Sequence, residues 1–293
     1  MTATDCRMAI RFSRAALILL SFIGAQSTFA QKPAAKAPRP LLFAANEGAA
    51  GNLDANEIIR RYESLKLVME KATRSPISIV AVRNASVLRR SLQTGAYALV
   101  LSRPVDALAE AIRDFGYDPV VVAKETSQAL FIVPKDSPIT TIAQIKGKSI
   151  VTPDRYSYMW RIAAAVMRDN NLPIAKENVR SMGDQAAIGS GLENGFFEVG
   201  VVASYSGVGR NWEKNGGRVV ARSRDLPTVP LIASPKLPAA QIARLRAALI
   251  ALDSSPEGAT ILKQIGVTGF KEAERGPFLD LLKWLGELEN PKQ

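Results

Sequence analysis

From residue 41 onward, short apolar runs alternate with stretches whose apolar residues recur every three or four positions. LLFAA (41–45), ISIVAV (77–82), YALVL (97–101), PVVVAKE (119–125) and ALFIVP (129–134) have the length and content of β-strands. Between the first two, Asp54 followed by Glu57 makes a capping-box start, and Ile58, Tyr62, Leu65, Met69 and Ala72 then fall at helical spacing. Asn84 caps a second helix that Gly95 ends, and Pro104 reads as the first residue of a third. The same grammar resumes in the second half. TIAQIKG (141–147) is a short helix, KSIVT (148–152) a strand, YSYMWRIAAAVMRDNN (156–171) a helix of about four turns, and NVRSM (178–182) a strand. Asp184 caps a helix ending near Gly195, ahead of the strand EVGVVAS (198–204). A Gly-rich helical stretch around Trp212 precedes RVVARS (218–223), and TVPLIASP (228–235) is a further strand. Helices starting near Pro238, Glu257 and Gly276 finish the chain.

This alternation predicts α/β layers with largely parallel sheets, in two consecutive units of roughly a hundred residues. Open sheets of this kind bind ligands where loops leave the carboxyl ends of strands. The candidates are therefore Glu47 after the first strand, Asn84 and Ser86 after the second, and Ser102 and Arg103 after the third. In the second unit they are Thr152, Arg155, Tyr156, Ser157 and Tyr158, then Asp184, then Ser204 and Tyr205. Most of these loops open helices, whose free N–H groups and dipole favour an anion, and a guanidinium or hydroxyl would add charge-assisted hydrogen bonds. Ser, Asn and Asp in such places equally serve as plain caps, so Arg103 and Arg155, which are not preferred caps, carry more of the argument.

The first thirty residues change the picture of where the chain works. Arg7, Arg11 and Arg14 precede the apolar AALILLSFIGA and the polar QSTFA, the three-region order of a secretory signal peptide, with cleavage expected after Ala30. Residues 31–40, QKPAAKAPRP, read as a disordered tether. The one cysteine, Cys6, precedes the apolar region, and the sequence has no histidine, so the mature chain has no disulfide, thiol nucleophile, imidazole base or His-ligated metal. No metal site, no cofactor and no enzymatic role are expected. The formal charge is +11, and the leader takes away a net +2, leaving +9. Without Lys/Arg blocks or arginines interleaved with aromatics, nucleic acid is not an expected partner, and a small acidic solute is.

The segment VPKDSPITTIAQIKGKSIVTP (133–153) resembles the crossing into the second lobe of type II periplasmic substrate-binding proteins. More narrowly, LQTGAYALVLSRP (92–104), ENGFFEVGVVAS (193–204), RDLPTVPLIASPKLPAAQIARLRAAL (224–249) and ILKQIGVTGF (261–270) are similar to the phosphate/phosphite/phosphonate branch of ABC-transporter binding proteins. The resemblance implies two lobes, each a mostly parallel sheet flanked by helices, joined by a two-strand hinge. Residues 41–127 and 225–293 would form lobe one and 128–224 lobe two, with hinge strands near 126–131 and 223–228. It also implies capture of a small anion by hinge closure, delivery to a membrane permease in the periplasm, and a monomer. A ligand sensor without a dedicated permease is the alternative function. Where the branch carries a Ser/Thr-Ser-Gly run this chain has DRYSYMW, and the branch's third-strand Asp is replaced by Tyr97–Ala98. A sulfonate, carboxylate or organophosphate would fit the same parts.

Overall fold

The computed structural model describes residues 39–48, 53–154, 157–172 and 178–286. The leader, the tether, Arg155 and Tyr156 lie outside these. Two sheets organise the chain. In the first, β1 (Leu41–Asn46), β2 (Ile77–Ala81) and β3 (Leu99–Ser102) run parallel. Next to β3 stands antiparallel β12 (Leu231–Ala233), then β4 (Asp118–Ala123), then antiparallel β13 (Phe270–Glu272), giving the order β13-β4-β12-β3-β1-β2. The second sheet, β10-β6-β9-β7-β8, is built from β6 (Ala129–Val133), β7 (Ile150–Thr152), β8 (Val179–Ser181), β9 (Val199–Ala203) and β10 (Arg218–Arg222). In it only β6 runs against the others. The chain crosses between the sheets twice, and the crossings pair as a short antiparallel ribbon of β5 (Thr126–Ser127) and β11 (Leu226–Pro227).

Both faces of each sheet are covered, which is why its strands read as unbroken apolar runs. The pleat sends alternate residues to opposite faces. Phe43 and Ala45 of β1, with Leu99 and Leu101 of β3, face α1 (Ala55–Thr73), α7 (Ala239–Ile250) and α8 (Pro256–Ile265). Ala44 and Val100 face the other way. In the second sheet Leu130, Ile132 and Val202 pack on α5 (Gln185–Glu193) and Trp212, whose indole N–H donates to the Val133 carbonyl at 2.9 Å. Phe131, Val133 and Val201 point to the opposite face.

The two faces reached by Ala44 and by Phe131 belong to one continuous apolar cluster. It is assembled by α3 (Asp106–Asp114) from the first lobe, α4 (Tyr158–Asp169) from the second, and the C-terminal α9 (Arg275–Leu285), which packs against both. Phe278, Leu281, Leu282 and Leu285 of α9 lie in it with Ile112 of α3 and Met159 and Ile162 of α4.

Local signals account for most element ends. Asp54 accepts from the Glu57 N–H at 2.8 Å while Glu57 accepts from the Asp54 N–H at 2.7 Å, the expected capping box. Asn84 caps α2 (Ala85–Gln93), Asp184 caps α5, and Gly195 turns at φ +72° before β9. One expectation needs correction, and one strand is new. Pro104 does not open α3: Val105 is the N-cap and the helix begins at Asp106, because residues 102–105 first make a turn in which the Ser102 hydroxyl donates to the Pro104 carbonyl at 2.7 Å. The strand β13 was not foreseen; three residues inside a stretch of turn and helix signals give no period to read.

Candidate functional site

The carboxyl ends of β1 and β3 bring Glu47, Ser102 and Arg103 together. Glu47 is 4% exposed, and its carboxylate accepts from the Tyr62 hydroxyl and from Arg103 Nε, with Arg61 at 3.4 Å. Arg103, 7% exposed, also donates through Nη2 to the Ile265 carbonyl at 2.6 Å and lies 5.3 Å from the ring centre of Tyr205. That last contact joins the lobes, since Tyr205 follows β9. Arg103 is therefore no loose guanidinium on a loop. Burial opposes its charge, but the Glu47 carboxylate and the phenols around it outweigh that, and its pKa is raised. Burial pushes the Tyr62 hydroxyl well above the ordinary phenol range, with Glu47 adding to it, and pushes Tyr205 up to about 12.

From the second lobe, Ser157 caps α4: it accepts from the Trp160 N–H at 3.2 Å and donates to the Asp154 carbonyl at 2.6 Å. Thr152 is fully buried and donates to the Asp154 carbonyl at 3.3 Å. Tyr158, 5% exposed, has a buried hydroxyl with no hydrogen-bond partner among the described residues. Burial raises its pKa well above the usual value, and the nearby Asp106 and Tyr205 raise it further.

The remaining candidates sit apart from this convergence or serve the backbone. Asn84 accepts from the N–H groups of Ser86 and Val87, and both Asn84 and Ser86 are exposed. Asp184 accepts from the Ala187 N–H at 2.8 Å. The Ser204 hydroxyl accepts from the Gln128 N–H at 3.0 Å, beside the crossing ribbon. Arg155 and Tyr156 lie outside the described residues.

Residue-type reasoning missed a second polar cluster next to the first. Asp106, the first residue of α3 and 2% exposed, receives Arg161 Nη1 of α4 at 3.0 Å and Arg89 Nη2 of α2. Glu110, one turn along α3, receives the same two side chains at 2.8 Å each. A signal did exist in the sequence. Arg161 stands on a helical stripe with Tyr158, Ile162 and Ala165 that is otherwise free of charge, and a charge there requires a buried partner.

Two lobes built around separate sheets and joined by a paired double crossing define the type II periplasmic binding fold. Residues 48–276 match the family model of the ABC-transporter phosphonate periplasmic substrate-binding proteins, and the chain belongs to that family. A Xanthomonas citri protein solved bound to ATP superposes with a TM-score of 0.68 at 16% identity, over 84% of this chain and 96% of that one. A binding-protein component of a Pseudomonas aeruginosa ABC phosphonate transporter gives 0.66 at 15% identity, over 85% and 86%. PhnD1 from Prochlorococcus marinus, in complex with methylphosphonate, gives 0.67 at 13%, over 83% and 96%. At these identities the superpositions speak for the fold. Comparison with curated protein sequences found no match.

Proposed function

We propose that the mature protein, released near Gln31 by signal cleavage, captures a small oxyanion of phosphonate or phosphate type between its lobes and presents it to an ABC permease. The observation that carries this reading is the family match across residues 48–276. The β5–β11 ribbon is the hinge, because it is the short antiparallel pair through which both crossings run. Opening about it would part the loops after β1 and β3 from those after β7 and β9, which Arg103 and Tyr205 here hold together.

The residues present suit an anion held mainly by neutral donors, since the charge of Arg103 is already taken up. Glu47 occupies the Arg103 guanidinium, which in turn supports the face of Tyr205. The Tyr158 hydroxyl is left to donate to a ligand oxygen, beside the N-terminus of α4. Ser157, Tyr205, Arg155 and Tyr156 complete the proposed contact set. A mainly hydroxyl and N–H lining tolerates oxyanions of different shape, so sulfonates and carboxylates belong in the test. A thermal-shift panel of methylphosphonate, phosphate, phosphite, sulfonates and carboxylates provides it. A ligand present at 100 times its Kd adds about 2.7 kcal/mol. The reading predicts the largest shift for a phosphonate or phosphate; shifts confined to carboxylates, or none at all, overturn it.

A further inference from the structure

We infer that Arg161 is the positioning residue through which the second lobe is held against the first, so that the retention of ligand is set by a buried charge pair outside the ligand contacts. This rests on the capture reading above for its consequence, though not for its geometry.

Among the described residues three acceptors meet the Arg161 guanidinium, and all belong to the first lobe's side. They are Asp106 at 3.0 Å, Glu110 at 2.8 Å, and the Gly286 carbonyl just past α9 at 2.8 Å. Arg161 is 7% exposed. On the first lobe Arg89 already grips both carboxylates, through Nε to Glu110 at 2.8 Å and through Nη2 to Asp106. That lobe therefore presents a fixed receptor of two carboxylates and one guanidinium, one positive charge short of neutrality, and Arg161 supplies the charge when the lobes meet. The pair lies beside the cleft: Asp106 directly follows the Ser102–Val105 turn, and Arg161 is one helical turn past Ser157. Trp284 strengthens the same seam, its indole N–H donating to Asp169 at 2.6 Å and its carbonyl accepting from Arg168 at 2.7 Å.

The consequence falls on the closed form. Breaking a buried pair by deleting one partner leaves an uncompensated buried charge. With the lobes apart, water hydrates both carboxylates; with them together and Arg161 gone, the buried Asp106 is cut off from it. Apparent affinity scales with the fraction of protein in the binding-competent form. Removing the second charge along with the first restores neutrality, leaving Arg89 and Glu110 as a balanced pair.

The test compares wild type, Arg161→Met, Arg161→Lys and Arg161→Met/Asp106→Asn, by small-angle scattering without ligand and by calorimetric titration with methylphosphonate. Arg161→Met should enlarge the radius of gyration and weaken binding about tenfold or more. The double variant should recover much of both, and Arg161→Lys, which keeps the charge but not the fork, should fall between. A wild-type radius in Arg161→Met overturns the inference, as does a double variant no more compact than the single. If Arg161→Met does not fold, the Arg161→Lys and double variants decide by the same two criteria. If wild type itself binds no methylphosphonate, the capture reading fails, and the scattering series alone still decides whether Arg161 holds the lobes together.

Discussion

Glu47→Gln is the substitution whose effect the geometry fixes most closely. It keeps the shape of the side chain and removes the charge. Glu47 and Arg103 are both nearly excluded from water, with side chains 5% and 8% exposed. Arg103 ties the end of β3 to the Ile265 carbonyl at the end of α8, so the guanidinium cannot swing out to solvent without breaking that bond. Deleting one partner of such a buried pair costs about 3–5 kcal/mol. At about 2–4 °C per kcal/mol for a chain of this size, the melting temperature should fall by roughly 6–20 °C. Thermal and urea unfolding of the ligand-free protein measure this, with the urea m-value unchanged if the denatured state is unaffected. Arg103→Met should cost a comparable amount, and the double variant Glu47→Gln/Arg103→Met less than the two single costs combined, because the residues touch. The reasoning is refuted if Arg103→Met melts with wild type yet binds anions far more weakly, for then Arg103 serves the ligand and not the lobe.

Tyr158→Phe removes a buried hydroxyl without a partner among the described residues, so ligand-free stability should be unchanged or slightly raised while anion affinity drops about tenfold, a loss of about 1.4 kcal/mol; calorimetry and melting separate the two. Tyr117 and Tyr205 are pushed up to about 12 by burial, whereas an unfolded tyrosine titrates near ~10. The folded state thus keeps protons that the unfolded state loses. Stability from these groups is intact below pH ~10 and is lost as pH rises toward about 12, so alkaline titration should show tyrosinate absorbance appearing together with unfolding. Asp184→Ala should cost about 1 kcal/mol of stability as a lost helix cap, with no change in anion affinity, by urea unfolding and calorimetry.

What the sequence disclosed depended on whether the signal was local. Caps and apolar periods are written into a few adjacent residues, so Asp54–Glu57, Asn84 and Asp184 mark their helices unaided. The crossing segment after Leu130 was legible for the same reason. Strands such as β13, and the Arg103 N–H that donates to the Asn46 carbonyl at the turn before α3, depend on neighbours distant in the chain. Site residues divide along this line too. Position after a strand pointed to the loops, but could not tell that Glu47 takes up Arg103, a pairing across 56 residues. Tyr62 was legible as an apolar helical position and not as the hydroxyl that anchors Glu47. The Arg89–Asp106–Glu110–Arg161 cluster draws on three helices from two lobes, and only the isolated charge on the apolar stripe of α4 hinted at it.

The central claim is that the cleft captures a small oxyanion, and titration calorimetry of the mature protein with methylphosphonate tests it most directly. Saturable one-to-one binding is expected near the micromolar range, about −8 kcal/mol, abolished or strongly weakened by Tyr158→Phe combined with Tyr205→Phe. Absence of binding heat with methylphosphonate and phosphate alike, from protein shown to be folded, would contradict it.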